Sequence, residues 1–221
     1  MEIQDFRRNY ELSAIDAQNL EPNPTAEFLK WLELAHATPA PHWLEITAMT
    51  LATADSTGRV SARIVLLKTV DESGFTFFTN YRSEKAQQLQ VNPNAALVLY
   101  WPHIERQVRI EGTVTKTASE VSDQYFHARP RGSQIGAIVS PQSQPLSDRD
   151  QLEKQAAELA ERYGDDQVIP RPDYWGGYLL KPERVEFWQG RPNRLHDRFV
   201  YARCEETESS SHQWLVSRLA P

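Results

Sequence analysis

Apolar positions along this chain repeat with two periods. After Pro24, Phe28, Trp31, Leu32 and Ala35 fall at i, i+3, i+4 and i+7, which predicts a helix with one apolar stripe. The period then shortens to two. Residues 46–55 (ITAMTLATAD) read as a strand, 56–58 as a turn and 59–70 (RVSARIVLLKTV) as a second strand. Residues 71–74 (DESG) form another turn before a third strand over 75–80 (FTFFTN). Spacing this tight predicts antiparallel hairpins rather than parallel crossovers.

Residues 83–91 (SEKAQQLQV) predict a short helix capped by Ser83, and 95–101 and 106–117 two more strands. A helical pattern over 118–140 breaks at Arg129–Pro130, because the residue before a proline avoids the α region. The clearest helix spans 147–164, with Ser147 as cap, Asp150 at the capping-box position and Gly164 as stop. Residues 176–190, 194–204 and 213–219 are extended in pattern, and 205–211 (EETESSS) read as an exposed hairpin loop. About seven or eight strands, mostly hairpin-linked with helices between them, predict a mainly β fold: an antiparallel barrel with added helices. Residues 1–22 are polar and mixed in charge and read as a mobile arm, leaving 23–221 as one domain.

Composition narrows the function. The formal net charge of −6 argues against a nucleic-acid or anionic-membrane binder. No apolar run is long enough to span a membrane, and the first thirty residues lack a signal-peptide core, so the reading is a cytoplasmic protein. The single cysteine, Cys204, allows neither an intramolecular disulfide nor a cysteine metal site. The scattered histidines hold no metal motif, and dinucleotide, P-loop and nucleophile-elbow fingerprints are absent.

Against that acidic background, local basic clusters stand out. In RLHDRFVY a regular strand would place Arg194, His196 and Arg198 on one face and Leu195, Asp197 and Phe199 on the other. Such a row of donors suits an anionic or electron-rich ligand, although a solvated face with Asp197 as counter-charge has the same spacing. In RIVLLK the odd separation of Arg63 and Lys68 predicts opposite faces. In YFHARPRGS, Tyr125 and Arg129 lie i, i+4 on a helix, with Ser133 just past the proline break. Together with Lys85 near a helix N-terminus, these elements suit two phosphorylated ligands, and Phe78, Tyr125 and Trp188 offer aromatic surfaces for flat ones.

The segments RIVLLK, FFTNYRSEKA, ERQVRIEG, YFHARPRGSQIGAIVSPQSQ, YWGGYLLKPERVEFWQGRPNRLHDRFVY and the terminal RLAP together resemble the pyridoxamine 5′-phosphate oxidase family over about Arg7 to Pro221. The resemblance implies an FMN-binding split barrel (antiparallel, Greek-key-like) and a homodimer with FMN at its interface. It implies oxidation of pyridoxine 5′-phosphate or pyridoxamine 5′-phosphate to pyridoxal 5′-phosphate, with O2 as acceptor, hydrogen peroxide as product and ammonia from the amine.

On this sequence, the resemblance assigns FMN to Arg63, Ile64, Val65, Leu66, Leu67 and Lys68, to Phe78, Thr79, Lys85 and Gln107, and to Gln142, Ser143, Trp188 and Arg198. It assigns the substrate to Lys68, Tyr125, Arg129 and Ser133 at the phosphate, and to Arg194, Leu195 and His196 at the ring. Arg7, Arg8, Asn9 and Tyr10 match a segment that closes over the substrate. Arg194 and His196 are the implied catalytic pair, one stabilising developing negative charge and the other orienting the ring or assisting proton movement. Arg191 receives no role and reads as a solvent-facing charge. Glu84 and Phe78 depart from the family pattern, which commonly has a basic residue and a tyrosine there. The rival readings are a non-catalytic pyridoxal phosphate or FMN carrier, and a split-barrel flavin enzyme with another substrate.

Overall fold

The computed structural model describes residues 9–204 and 214–221. The predicted loop over 205–211 and the candidates Arg7 and Arg8 lie outside the described residues.

Helix α1 (Pro24–Ala37) starts where the sequence predicts, with Pro24 in its first turn and Asn23 accepting from the Thr25 amide. Its stripe is core: Phe28, Trp31 and Ala35 are buried, and Phe28 meets Phe75 edge-on at 5.0 Å. Strands β1 (Ala48–Ala54), β2 (Val60–Leu66), β3 (Thr69–Asp71) and β4 (Gly74–Asn80) follow. The expected single strand over 59–70 is therefore two. Leu67 turns into the core with its amide still donating to the Thr47 carbonyl beside β1, but the next amide, Lys68, donates to Thr76 on β4, so the chain changes partner strand between the two. Helix α2 (Glu84–Val91) has Ser83 at its cap position, but the Ser83 hydroxyl donates to the Asn80 carbonyl instead of capping the helix.

Strands β5 (Asn94–Trp101) and β6 (Arg106–Lys116) lead to α3 (Ser119–Ala128) and α4 (Arg131–Val139), broken at Arg129–Pro130 as the proline dictates. In α5 (Arg149–Tyr163) the cap is Asp148, whose carboxylate accepts from the Asp150 amide; Ser147 lies one residue too early. Gly164 ends α5 at φ +52°. Strands β7 (Trp175–Gln189), β8 (Asp197–Arg203) and β9 (Trp214–Leu219) complete the chain.

All pairings are antiparallel, in the order β2-β1-β5-β6-β7-β4-β3, with β8 on β7 and β9 on β8. The sheet curls into a half-barrel, and its inner face holds Met49, Leu51, Phe75, Phe77, Leu97, Leu99, Val108, Ile110 and Phe187. This is the split barrel that the resemblance implied. Strand β7 organises it: its first half pairs with β4 and its second half with β8, while β6 runs along its other side. The outer face carries small and apolar residues that remain partly or fully open, among them Ala52, Ala96, Val60, Ile64 and Tyr100.

Residues 9–22 lie against this body. The Glu105 carboxylate accepts from the Glu11 and Leu12 amides at 2.8 and 3.0 Å, Ile15 is buried, and Tyr201 donates to the Glu21 carbonyl at 2.8 Å.

Candidate active site

The candidate residues gather into two groups at opposite ends of β7. The first group surrounds a cavity of about 400 Å³. Arg63, Ile64, Val65, Leu66 and Lys68 form one wall, Phe78, Thr79 and Lys85 another, and Tyr125, Arg129 and Gln142 a third. A neighbouring cavity of about 250 Å³ shares Arg129 and Gln142 and adds Ser133 and Asn80. The expectation that Arg63 and Lys68 face apart fails for a local reason. The strand stops at Leu66, so the two-residue period no longer relates them, and both face one cavity. Arg129 is likewise not within a helix: α3 ends at Ala128, and the extended Arg129 still turns to the cavity that Tyr125 lines. Two FMN candidates lie elsewhere. Leu67 is a core residue, and Ser143 is exposed at φ +71° outside both cavities.

Donors crowd the first cavity. Lys85 Nζ lies 2.9 Å from Gln142 Oε1, 3.2 Å from Ser83 Oγ and 3.3 Å from Thr79 Oγ1. Burial drags its pKa down to about 8, the neighbouring Arg63 adds to that, and the Glu84 carboxylate opposes it. Glu84 also favours the charged form of Arg63 against burial. The acidic residue that departs from the family pattern thus helps keep two cavity cations protonated. Arg63 donates to Thr53 Oγ1 and Ser61 Oγ, each at 2.5 Å. Arg129 Nη1 is buried with no partner, one of two such side-chain atoms among the described residues. An unpaired buried guanidinium N–H is costly, and an anion in the cavity would remove that cost.

Trp175 lines both cavities, yet nothing in the periodicity singled it out. Phe78, Tyr125 and Trp175 form a near-parallel stack, with Phe78 and Tyr125 centroids 4.0 Å apart, and the Arg129 guanidinium lies 4.7 Å from the Trp175 ring. The only signal in the sequence is the Gly pair that follows Trp175. A Cβ on Gly177 would come within 2.9 Å of the Phe78 ring and 2.6 Å of Thr117 Oγ1, so the stack requires a glycine there.

The second group sits on the outer face of β6, β7 and β8. Register places Gln107 opposite Trp188, and Trp188 opposite Arg198, in one row across three strands. The expected alternation of Arg194, His196 and Arg198 is not found, because β8 begins only at Asp197. Residues 192–194 form a 3₁₀ turn with Asn193 and Arg194 at φ +56° and +63°. Arg194 and Leu195 are exposed there, and His196 packs inward. His196 Nδ1 accepts from the Arg191 amide at 3.0 Å, and its ring meets Trp188 at 4.7 Å and Tyr10 at 5.6 Å. Burial, then the nearby Arg194 charge, lowers the His196 pKa, so the neutral ring with its proton on Nε2 is favoured.

Arg191 is not a free surface charge. It donates to the Ser13 carbonyl at 3.1 Å and pairs with Asp197 at 3.6 Å. The Ile15 amide donates to the same Asp197 carboxylate, so the segment holding Tyr10 is strapped over His196 and Trp188, with Asn9 exposed at its start. Tyr10 fits only because residue 190 is glycine: a Cβ there would lie 2.6 Å from the ring.

From Gly177, opposite Phe78, to Trp188, opposite Arg198, β7 runs roughly 35 Å at 3.3 Å per residue. Residues 40–163 match the family profile described as pyridoxamine 5′-phosphate oxidase, and residues 175–221 match the pyridoxine 5′-phosphate oxidase C-terminal dimerisation region. The chain belongs to the pyridoxamine 5′-phosphate oxidase family. It is 51% identical over 219 residues to the pyridoxine/pyridoxamine 5′-phosphate oxidase of Paraburkholderia phymatum, covering 99% of each chain. The structure of PhzG from Burkholderia lata 383, in complex with tetrahydrophenazine-1-carboxylic acid, superposes with a TM-score of 0.85 at 29% identity, over 96% of this chain and 100% of that one. A pyridoxamine 5′-phosphate oxidase-related FMN-binding protein of Nostoc punctiforme shares the fold at a TM-score of 0.69 and 18% identity, over 91% of this chain and all of that one. Membership makes the chain an oxidoreductase of an FMN-binding family. Among the described residues no helix is long and apolar enough to cross a membrane.

Proposed function

We propose that this oxidoreductase converts pyridoxine 5′-phosphate and pyridoxamine 5′-phosphate to pyridoxal 5′-phosphate with O2 as acceptor, releasing hydrogen peroxide, and ammonia from the amine. It works in the cytoplasm as a homodimer with FMN at the interface. The observation that carries this reading is the unpaired buried Arg129 Nη1, set in a cation-rich cavity beside a stacked aromatic wall.

The donor set fits two phosphates. Arg63, Lys85, Thr79 and Gln142 would hold the FMN phosphate, and Lys68, Tyr125, Arg129 and Ser133 the substrate phosphate. When bound, FMN supplies the two-electron acceptor that O2 regenerates. The protein's own work is orientation. Because β7 separates its two groups, a second copy completes each site: the partner subunit's Gln107, Trp188 and Arg198 would meet the flavin, and the partner subunit's Arg194 and His196 the substrate ring. Neutral His196, its Nδ1 occupied by the Arg191 amide, offers an Nε2–H donor to the substrate ring. The exposed Arg194, held by left-handed backbone, brings a fixed positive charge to where negative charge develops. Tyr10 would cover the site and exclude water.

The test is the visible spectrum of FMN-reconstituted protein mixed anaerobically with each phosphorylated vitamer. Bleaching of the flavin band, restored by air, is expected. A second reading, a flavin oxidase of another ring system, rests on the likeness to PhzG. Bound flavin that stays oxidised with both vitamers would favour it.

A further inference from the structure

A buried acid lies on the otherwise open outer face of the sheet. Glu186 is 2% exposed near the C-terminal end of β7, one step along the strand face from Trp188. Three guanidiniums surround it. Arg198 Nε donates to Glu186 Oε1 at 2.9 Å, and Arg198 Nη2 lies 2.9 Å from the same oxygen. Arg184 Nη2 and Arg109 Nη1 lie 3.3 and 3.5 Å from Oε2. Arg109 and Arg184 are further shared with Glu111 Oε1, at 2.8 and 3.0 Å. Arg198 makes no bond to Glu111; its third nitrogen, Nη1, donates to the Ala220 carbonyl at 2.9 Å. The Arg198 guanidinium is thus anchored at all three nitrogens, and two of the anchors are Glu186. Its plane is fixed beside Trp188 before any ligand arrives.

We propose that Glu186 is a positioning residue for the flavin: it presents Arg198 edge-on in the Gln107–Trp188–Arg198 row and sets the geometry in which that row receives FMN. The inference rests on the assignment of this row to FMN made above. Two physical pictures give opposite signs. The cluster holds three guanidiniums against two carboxylates. If Glu186 merely tuned the local field, removing its charge would leave more positive charge and tighten binding of anionic FMN. If it positions Arg198, removing it frees the guanidinium to turn, and FMN binds more weakly.

The experiment measures FMN affinity by quenching of flavin fluorescence in the full-length dimer, together with KM for pyridoxine 5′-phosphate at saturating FMN. Glu186→Gln is expected to weaken FMN about 30-fold and leave that KM within about twofold. In an Arg198→Ala background the same substitution is expected to change FMN affinity by less than about twofold, because the group it positions is gone. Arg198→Lys keeps the charge but loses the fork, and is expected to weaken FMN to a similar extent even if Glu186→Gln does not fold. Tighter FMN in Glu186→Gln, an undiminished effect in the Arg198→Ala background, or full affinity in Arg198→Lys would each overturn the inference. A parent protein that takes up no FMN would instead overturn the cofactor reading beneath it.

Discussion

The two ends of β7 solve different problems. The cavity end is walled on three sides by elements of one protomer, and its donors already bind one another: Lys85 to Thr79, Ser83 and Gln142, and Arg63 to Thr53 and Ser61. The Trp188 end is an open sheet surface whose charges are locked into a network around Glu186, with a left-handed turn holding Arg194 out to solvent. A pocket can be assembled by strands and helices that converge on one curled edge of a sheet. A flat sheet face can only present a row, and a row becomes a site when a second surface covers it. Residues that the resemblance assigns to one small ligand lie at both ends, too far apart to touch it in a single chain, as the proposed dimer requires.

The largest effect should come from keeping the cavity and blocking the second surface. Ala96 lies on the outer face of β5, between the two ends. Where the proposed second copy covers this face, Ala96→Glu would bury a carboxylate directly opposite Glu111, worth about 4 kcal/mol, so FMN affinity should fall roughly 1,000-fold. Analytical ultracentrifugation and flavin fluorescence check both halves of that statement, and a monomer that holds FMN tightly would refute the two-region scheme. Next in size is Arg129→Ala, which removes the unpaired buried donor. KM for pyridoxine 5′-phosphate should rise about 100-fold while FMN affinity holds within about threefold, as steady-state kinetics and fluorescence titration would show.

A smaller effect sharpens the cavity's electrostatics. The folded-state pKa of Lys85 lies below its unfolded value, so between about pH 8 and 10 the unfolded chain binds the extra proton. FMN-free protein should therefore gain stability at this site as pH rises through that window. FMN affinity should weaken over the same range, by at most about tenfold per pH unit, as the ammonium loses its charge. Lys85→Met should abolish both slopes, and urea unfolding with flavin titration at each pH would test this. Smallest is a control in neither region: Asp148→Ala should remove the α5 cap and lower stability by about 1 kcal/mol in urea unfolding, without altering turnover.

Much of this was legible in the chain. The stripe Phe28–Trp31–Ala35 and the break at Arg129–Pro130 follow from local sterics and periodicity, and both hold. Arg63 opposed to Lys68 and the alternating Arg194–His196–Arg198 both assume that a regular period continues to the end of its segment, whereas Ser147 for Asp148 misplaces a cap by one residue. Elements end where a tertiary contact competes better, such as the burial of Leu67 or the packing of His196 between Tyr10 and Trp188. Trp175 and Glu186 escaped notice because neither stands out by type or spacing.

Local pattern carried most of the strand and helix inventory and the antiparallel hairpins, though not the split of 59–70 into β2 and β3, because those features depend on neighbours a few residues away. The folded chain brings Arg63, Lys85, Arg129 and Trp175 to one cavity, sets Glu186 against Arg198, and uses β7 to keep the two groups apart. Those relations depend on sheet order and register between segments far apart in the chain, which no local pattern encodes.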